Sequence, residues 1–280
     1  MEQTRAIDFI KMQGLGNDFV IIDARDEPLR LDESGLVEIA DRRLGVGCDQ
    51  VLVIDPPANG AAADMRIFNP DGSAAEACGN GTRCVARLLM EEKAAEALTI
   101  RTVAGDLICE KTDRGVRVDM GLARTEWNEI PLRAPVDTLY VPVEQGPLKN
   151  PVAVNVGNPH LVFFVDDVDA IDLPMLGPLL EHDPILPERG NIEIVQVLAR
   201  DHLRMRVWER SAGITRACGS GACAAAVAAH RRGYADRASR VTLDGGDLYL
   251  EWLENGRVTM TGPTAISFTG SFAPTGGASS

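Results

Sequence analysis

The sequence predicts a mixed α/β protein made of two homologous domains related by a pseudo-twofold axis. The first observation is an internal repeat, in which segments recur in the same order at a spacing of 140 or 141 residues. The second is a series of short runs rich in valine, isoleucine and leucine, bounded by glycine, aspartate and proline as strands are. The third is a pair of longer helical segments, each beginning just after a repeated cysteine.

The repeat is clearest at two motifs, Cys78-Gly79-Asn80-Gly81 and Cys218-Gly219-Ser220-Gly221. The other matched segments are 16–17 with 157–158, 50–54 with 191–195, 66–69 with 206–209, 105–107 with 246–248, and 117–120 with 257–260. Chance rarely gives so many matches in one order, so we infer a duplicated domain. The seam between two such domains is a natural place for a small-molecule site.

The individual elements follow from local pattern. Strands are expected at 51–55, 107–110, 116–120, 152–156, 192–198 and 248–253. One helix is expected from about Asn80 to Lys93, and a second from about Ser220 to Arg232, because Gly233 suits the position after a helix end. Alanine dominates the second helix, so we expect a sheet to enclose it. Residues 275–280 are expected to form a disordered tail.

The composition predicts a soluble, acidic, cytoplasmic protein. The 28 Lys and Arg residues against 41 Asp and Glu give a net charge of −13. This charge disfavours nucleic acid and anionic membranes as partners, because both require basic residues. No apolar run follows Met1, so no signal peptide is expected. The run 161–165 is too short to span a bilayer.

The six cysteines predict neither a disulfide framework nor a metal site. Cytosolic thiols stay reduced, no two cysteines have the C-x2-C spacing, and the four histidines do not cluster. The C-x-x-C motif typical of a redox pair is absent. Two alternatives remain open at this point, a redox pair and two buried structural thiols that survived the duplication.

The two repeated cysteines have the surroundings of acid/base groups. Each directly precedes a helix, whose N-terminus binds anions such as a carboxylate. The same field lowers a thiol pKa, so Cys78 and Cys218 are expected to be primed as thiolates. If the pseudo-twofold axis brings them to opposite sides of one cleft, one thiol removes a proton and the other donates one from the opposite face. The configuration at that carbon is then inverted.

Four longer motifs carry a family resemblance. They are Asn69-Pro70-Asp71-Gly72-Ser73 leading to Cys78-Gly79-Asn80-Gly81, Glu209-Arg210 leading to Cys218-Gly219-Ser220-Gly221, the opening Lys11-Met12 with Gly16-Asn17-Asp18-Phe19, and Gly157-Asn158-Pro159-His160. Together they resemble the diaminopimelate epimerase family over nearly the whole chain. Ala74 and Ser211 depart from the family pattern, which often has an acidic residue and a glycine there.

The resemblance implies an enzyme that interconverts LL- and meso-2,6-diaminopimelate for lysine and peptidoglycan precursor biosynthesis. It implies no cofactor, neither pyridoxal phosphate nor a metal, and a homodimer. It also implies that each domain wraps a barrel-like mixed sheet around a central helix. The domains are then 1–122 and 123–263, and a strand at about 264–274 returns to the first domain.

The resemblance and the chemistry together assign roles to residues. Cys78 and Cys218 are the two bases, and the backbone N–H groups of Gly79, Asn80, Gly219 and Ser220 hold the reacting carboxylate. Arg210, supported by Asn69 and Asn191, holds the far carboxylate, and Glu209 holds the far ammonium. Asn17, Gln50 and Asn158 line the cleft, while His160 and Glu209 tune the thiol pKa values.

Two other functions stay open on the sequence alone. The first is a racemase of proline, hydroxyproline or histidine on the same fold, although proline racemases tend to carry histidine where Asn80 stands. The second is a non-catalytic amino-acid-binding protein, against which the two intact cysteines argue.

Overall fold

A computed structural model describes residues 6–29, 31–58, 60–75 and 78–275. The described residues form a mixed α/β protein in which strands predominate, so the predicted fold class is confirmed. They divide into two compact units. Unit 1 contains the residues up to Val118 and those from Pro263 onward, and unit 2 contains Asp119–Gly262. Apart from Thr275, the expected disordered tail lies outside the described residues.

The strands, in chain order, are β1 (Ile7–Gly14), β2 (Asn17–Asp23), β3 (Gln50–Asp55), β4 (Ala63–Phe68), β5 (Ala74–Ala75), β6 (Ala97–Thr102), β7 (Gly105–Thr112), β8 (Gly115–Leu122), β9 (Glu144–Gln145), β10 (Leu148–Lys149), β11 (Val152–Asn155), β12 (Pro159–Phe164), β13 (Asn191–Ala199), β14 (His202–Glu209), β15 (Gly213–Ile214), β16 (Ala238–Leu243), β17 (Gly246–Trp252), β18 (Arg257–Gly262) and β19 (Ala265–Phe272). The helices are α1 (Glu33–Ala40), α2 (Gly79–Lys93), α3 (Leu173–Glu181) and α4 (Gly219–Arg231). No helix in the described ranges is long and apolar enough to cross a membrane.

The internal repeat is also a repeat of strand pairing. In unit 1, β2 pairs in parallel with β3, and Phe19 lies opposite Gln50. In unit 2, β12 pairs in parallel with β13, and His160 lies opposite Asn191. The antiparallel β3–β4 and β13–β14 pairs also match, as do the parallel β4–β6 and β14–β16 pairs. Residues 140 or 141 apart therefore occupy equivalent places in the two units.

Alternation along β3 and β13 determines which residues face which helix. Val51 and Val53 pack with α1, whereas Leu52 approaches α2 at Gly81. In unit 2, Ile192 and Ile194 join the cluster that contains α3. The intervening Glu193 approaches α4 at Gly221. The apolar Leu52 of unit 1 thus corresponds to the carboxylate Glu193 of unit 2.

The second cysteine-initiated helix is surrounded by sheet, as its alanine content predicts. Helix α4 packs against β11–β14 and β16–β18, and its residues from Gly221 to Ala229 are buried. Apart from Cys223 and Val227, the residues of this stretch are alanine or glycine, which suits a closely packed interior. Helix α2 packs against β1, β2, β6 and β7.

The final strand of the described chain belongs to unit 1. Strand β19 pairs antiparallel with β1, with Ile7 opposite Phe272 and Gln13 opposite Ala265. Strand β1 also pairs with β2, so it has neighbours on both edges. Beyond β19, Thr275 donates hydrogen bonds to the Glu38 carboxylate in α1.

Candidate active site

Both repeated cysteines occupy the N-cap position of a helix. Cys78 precedes α2 and Cys218 precedes α4, each in an extended backbone conformation. Each Sγ atom accepts a hydrogen bond from the backbone N–H three residues later, at 3.3 Å from Gly81 N and at 3.3 Å from Gly221 N. A thiol thus takes the place that serine or aspartate fills at many helix starts. The two sulfur atoms have equivalent local geometry.

The third residue after each cysteine must be glycine because another side chain approaches it closely. A Cβ atom at Gly81 would lie 2.9 Å from Leu52 Cδ1, and one at Gly221 would lie 2.8 Å from Glu193 Oε1. Both distances are too short for a real contact. The glycine in each motif therefore serves packing as well as access to the helix N-terminus.

Asn17 connects the first cysteine to its surroundings. Its Oδ1 atom accepts a hydrogen bond from Asn80 Nδ2 at 3.1 Å and lies 4.0 Å from Cys78 Sγ. Its Nδ2 group donates to Asp49 Oδ2 at 2.9 Å. Both ends of the Asn17 amide are therefore held by protein groups, and its orientation is fixed.

A charged network lies behind Asn17. Lys11 Nζ and Arg42 Nη2 each lie 2.6 Å from a carboxylate oxygen of Asp18, and Arg42 also pairs with Asp49 at 2.7 Å. Burial opposes ionisation of Asp18, but the hydrogen bonds and charges of Arg42 and Lys11 outweigh it and lower the Asp18 pKa to about 2. Asp49, which orients Asn17, is thus part of an ion-pair network. The sequence analysis did not identify Asp18 or Asp49 as contributors to the site.

Gln50, at the start of β3, contacts Asn69, which directly follows the neighbouring strand β4. Gln50 Nε2 donates to Asn69 Oδ1 at 3.1 Å, and Asn69 Nδ2 donates to Ser73 Oγ at 3.1 Å. Asn69 follows β4, as Glu209 ends the equivalent strand β14. The matching position is therefore neutral in unit 1 and acidic in unit 2.

The Cys218 thiol is not primed as a thiolate, so that expectation from the sequence is wrong. Cys218 is only 4% exposed. Burial raises its pKa well above the ordinary value, and the charges of Glu209 and Glu193 raise it further. Hydrogen bonds from Ser220 and from the Gly221 backbone act in the opposite direction but do not compensate. Desolvation and two carboxylates therefore dominate the pKa of Cys218, and of these two only Glu209 was predicted from the sequence to act on it.

Glu209 acts on the second thiol through its charge. Its carboxylate accepts a hydrogen bond from the Thr215 hydroxyl, and its charge raises the pKa of Cys218. Burial raises the pKa of Glu209 despite the hydrogen bond from Thr215. Glu209 is therefore close enough to Cys218 for its charge to affect the protonation of that thiol.

A fully buried pair, His160 and Glu193, lies behind the Cys218 side of unit 2. The two side chains are 0% exposed, and His160 Nδ1 lies 2.7 Å from Glu193 Oε1. His160 Nε2 lies 2.8 Å from Asn158 Oδ1. The sequence analysis missed Glu193, although a signal was present. A lone carboxylate stands between Ile192 and Ile194 in an apolar strand, and buried charges of this kind need partners.

Arg210 is held through its backbone, which leaves its guanidinium exposed. Asn191 Oδ1 accepts a hydrogen bond from Arg210 N at 2.8 Å, and the guanidinium reaches Glu188 O at 3.2 Å. The next residue, Ser211, has a φ of 63°. The buried Glu181 carboxylate accepts from Ser211 N at 3.0 Å and so stabilises this strained turn. The sequence analysis did not identify Glu181.

The remaining predicted residues lie at the helix starts. Gly79 and Asn80 open α2, and Gly219 and Ser220 open α4, so their N–H groups lie at the positive ends of the helix dipoles. Ser220 Oγ also lies 3.5 Å from Cys218 Sγ. Among the described residues, no group of three or more His, Cys, Asp and Glu side chains is arranged to hold a metal ion.

The fold is that of a class of proteins with known structures. A phenazine biosynthesis protein of the PhzF family from Enterococcus faecalis superposes with a TM-score of 0.68 at 15% identity, covering 95% of this chain and 99% of that one. A hydroxyproline epimerase from Agrobacterium vitis, solved with bound trans-4-hydroxy-L-proline, gives a TM-score of 0.67 at 15% identity, covering 98% and 94%. At such low identity these similarities define the fold alone.

Sequence comparison identifies the family within that class. The family model for diaminopimelate epimerase matches residues 9–126 and 152–266. Diaminopimelate epimerase from Rhodospirillum centenum is 56% identical over 269 residues, covering 95% of this chain and 92% of the relative. The protein of that name from Acidiphilium cryptum is 53% identical over 263 residues, covering 94% and 95%. The chain belongs to the diaminopimelate epimerase family, and the resemblance seen in its motifs is confirmed.

Proposed function

We propose that this protein is an epimerase that interconverts LL- and meso-2,6-diaminopimelate without a cofactor, in the biosynthesis of lysine and peptidoglycan precursors. The observation that carries the proposal is the pair of equivalent N-cap thiols, Cys78 and Cys218, in a chain about half identical to proteins named for this reaction. Duplicated thiols suit a reaction that needs two equivalent proton-transfer groups.

The reaction exchanges one proton at the α-carbon. One thiolate takes the α-proton and becomes a thiol, and the carbon–hydrogen electron pair remains on the substrate as a carbanion. The other thiol then gives its proton to the opposite face of that carbon and becomes a thiolate. Atoms and charge balance, and the reverse reaction exchanges the two roles.

The raised pKa of Cys218 sets the starting state. Burial and the carboxylates of Glu209 and Glu193 favour the protonated Cys218 thiol. In the direction where Cys218 donates the proton, Cys78 therefore has to start as the thiolate. Cys78 is more exposed than Cys218, which is consistent with that role, because solvation lowers the free-energy cost of a thiolate.

Carbanion formation needs electrostatic stabilisation, because a thiol with a pKa of about 8.5 is a weak match for an α-proton. The helix starts at Gly79-Asn80 and Gly219-Ser220 supply N–H donors and positive dipole ends. Directed at the substrate carboxylate, these groups stabilise the charge that develops as the proton leaves.

The other end of the substrate is assigned to Arg210 and Glu209. The exposed Arg210 guanidinium suits a second carboxylate, which arginine binds through two parallel hydrogen bonds. Glu209 is assigned to the ammonium group and to the protonation of Cys218, and the second role is supported by the effect of its charge on the pKa of that thiol. Asn17, Gln50, Asn69, Asn158 and Asn191 complete the proposed binding set, with His160 as a tuning group.

The proposal also covers the domains of the protein, its oligomeric state, and its location and partners. The segments 1–122, with a returning strand at about 264–274, and 123–263 are two homologous epimerase domains. The protein is a homodimer, as the family resemblance implies. It acts in the cytoplasm on a small molecule and has no nucleic-acid or membrane partner, in keeping with its net charge of −13.

The test is exchange of the α-proton in heavy water, measured with diaminopimelate, lysine, histidine and proline. We expect exchange and inversion of diaminopimelate, with the other three far slower. Faster exchange of proline or histidine would support a racemase on the same fold. Binding of diaminopimelate without any exchange would show a binding protein instead.

A further inference from the structure

The arrangement of Glu193, His160 and Asn158 requires a specific distribution of protons. His160 Nδ1 faces the Glu193 carboxyl at 2.7 Å, and His160 Nε2 faces the amide oxygen of Asn158 at 2.8 Å. An amide oxygen only accepts hydrogen bonds, so Nε2 has to carry a proton. A second proton has to lie between Nδ1 and Oε1. The pair therefore holds two protons.

We propose that Glu193 is a positioning residue, which keeps the proton on His160 Nε2 and thereby fixes the direction of the Asn158 amide. This inference rests on the proposed function, in which Asn158 contacts the substrate. With Oδ1 engaged by His160, the Asn158 Nδ2 group is the end that remains for a ligand. Within the described ranges, Nδ2 makes no hydrogen bond to protein.

The equivalent asparagine of unit 1 provides an internal contrast. Asn17 is held at Oδ1 by Asn80 and at Nδ2 by Asp49. Its donor end is thus occupied by a carboxylate, whereas that of Asn158 is not. Asn158 therefore supplies a free donor to a carboxylate or other acceptor on the substrate, whereas the Asn17 amide is held in place beside Cys78 by its protein partners.

The same contrast extends to the residues behind the asparagines. At the spacing of 141 residues, Phe19 stands where His160 stands, and Leu52 stands where Glu193 stands. Phe19 and Leu52 are fully buried apolar residues. This fold thus accepts an apolar pair at the two positions, so packing alone does not require an acid and a histidine in unit 2.

Several titratable groups surround Glu193. His160, on β12, forms a hydrogen bond with Glu193. The charge of Glu193 also acts on Cys218, at the start of α4, and on Glu209, at the end of β14. Glu193 Oε2 is buried and has no hydrogen-bond partner among the described residues. An isolated carboxylate oxygen is costly in such a place, and a proton shared with His160 reduces that cost.

The first test measures the ring nitrogens of His160 by NMR in protein with isotope-labelled histidine. The variant His160→Phe/Glu193→Leu, which copies the Phe19 and Leu52 pair, identifies the His160 signal by its loss. We expect wild-type Nε2 to carry a proton. In Glu193→Leu we expect the ring proton to be distributed between both nitrogens. An unprotonated Nε2 in wild type, or an unchanged ring in Glu193→Leu, would overturn the proposal.

The second test asks whether Glu193 acts through Asn158. Glu193→Leu and Asn158→Ala should each lower kcat/KM for diaminopimelate by about tenfold, mainly through KM, since each removes an aligned hydrogen bond. If Glu193 acts by orienting Asn158, the double variant should lose no more than either single variant. Losses that multiply would contradict this relay.

The two tests separate the inference from the proposed activity. The ring spectrum requires no turnover, so a protein inactive on diaminopimelate but with a protonated Nε2 would refute only the proposed function. If Glu193→Leu does not fold, the wild-type spectrum still decides the position of the proton. Glu193→Gln, which keeps the volume and removes the charge, then serves for the kinetic cycle.

Discussion

Leu52 and Glu193 occupy equivalent positions of the two repeats, and each approaches the glycine that stands three residues after a repeated cysteine. Leu52 Cδ1 comes within 2.9 Å of a Cβ position at Gly81, and Glu193 Oε1 within 2.8 Å of one at Gly221. The duplicated motifs therefore contain equivalent thiols in different surroundings. An apolar leucine side chain packs against the motif of Cys78, and a carboxylate packs against the motif of Cys218.

Both thiols should be indispensable. Cys78→Ala or Cys218→Ala should abolish epimerisation, because one of the two proton transfers then has no acid or base. Serine at either position should leave a trace of activity, since a hydroxyl has a similar shape but is a much weaker base. Turnover of each purified variant in heavy water provides the measurement. Near wild-type activity in Cys218→Ala would exclude the two-thiol mechanism, and Cys109→Ala is the matched control at a buried cysteine outside the motifs.

Cys218 should remain protonated at neutral pH. Burial and the two carboxylates raise its pKa, so its thiolate forms only at pH values above the ordinary thiol range. The ultraviolet absorbance of thiolate, compared between wild type and Cys218→Ser over a pH series, measures this. No difference between the two proteins is expected near neutrality. A thiolate signal at neutral pH that disappears in Cys218→Ser would show that the helix dipole prevails after all.

The Asp18 network should stabilise unit 1 in a pH-dependent way. The folded-state pKa of Asp18 is lowered from 3.8 to about 2, so its contribution is present above the ordinary value and is lost as pH falls toward about 2. After allowance for solvent screening, Asp18→Asn should cost about 1–2 kcal/mol at neutral pH. Denaturant titrations at several pH values measure the difference, which should shrink in acid. Asp113→Asn, in the turn between β7 and β8, is the control, and an equal pH dependence in both variants would contradict the assignment.

Gly81 should tolerate a side chain only if Leu52 is shortened. Gly81→Ala places a methyl group against a buried Leu52 and should cost about 1–3 kcal/mol of unfolding free energy. In Leu52→Ala the cavity costs stability by itself, but Gly81→Ala added to that variant should cost far less than in wild type. Denaturation of the four proteins of this cycle measures the coupling. Strictly additive losses would mean that the close approach has no energetic effect.

Arg210 should determine how well the protein distinguishes diaminopimelate from lysine, which lacks the second carboxylate. Arg210→Ala should lose about 2–3 kcal/mol of transition-state binding for diaminopimelate, because a charge-assisted bidentate contact disappears. Exchange of lysine, slow in wild type, should change little. Arg189→Ala is the control, since Arg189 lies in the same region and only approaches Glu181 at 3.9 Å. An equal loss for both substrates would remove Arg210 from the carboxylate site.

The sequence pattern was sufficient to predict the two helices that begin at the repeated cysteines. The starts of α2 and α4 lie within one residue of the expected positions, because a cysteine followed by glycine marks them twice. Helices α1 and α3 were missed, since they contain only eight and nine residues and α3 contains Pro178, which argues against a helix interior. Their caps, Asp32 and Asp172, are ordinary helix-start residues that a search for short helices would use.

The electrostatics of the site were less accessible to the sequence. The prediction of a lowered pKa for Cys218 considered only the N-terminus of the helix that follows it. The groups that raise its pKa, Glu193 and Glu209, belong to strands that precede α4 in the chain and reach the thiol only after folding. Long-range charges of this kind have no local spacing that reveals them. Glu209 was predicted to act on the thiols only through the family resemblance. The signals for Glu193 were its place between Ile192 and Ile194 and its correspondence to Leu52 in the repeat.

The pairing of β19 with β1 has a consequence for the order of synthesis. Unit 2 is one continuous segment, so its strands emerge from the ribosome together and can associate at once. Strand β1 emerges first, but β19, its partner along one edge, emerges only after all of unit 2. Until then that edge exposes unpaired backbone groups, which favour association with other nascent chains. Unit 1 can therefore be completed only after unit 2 has been synthesised.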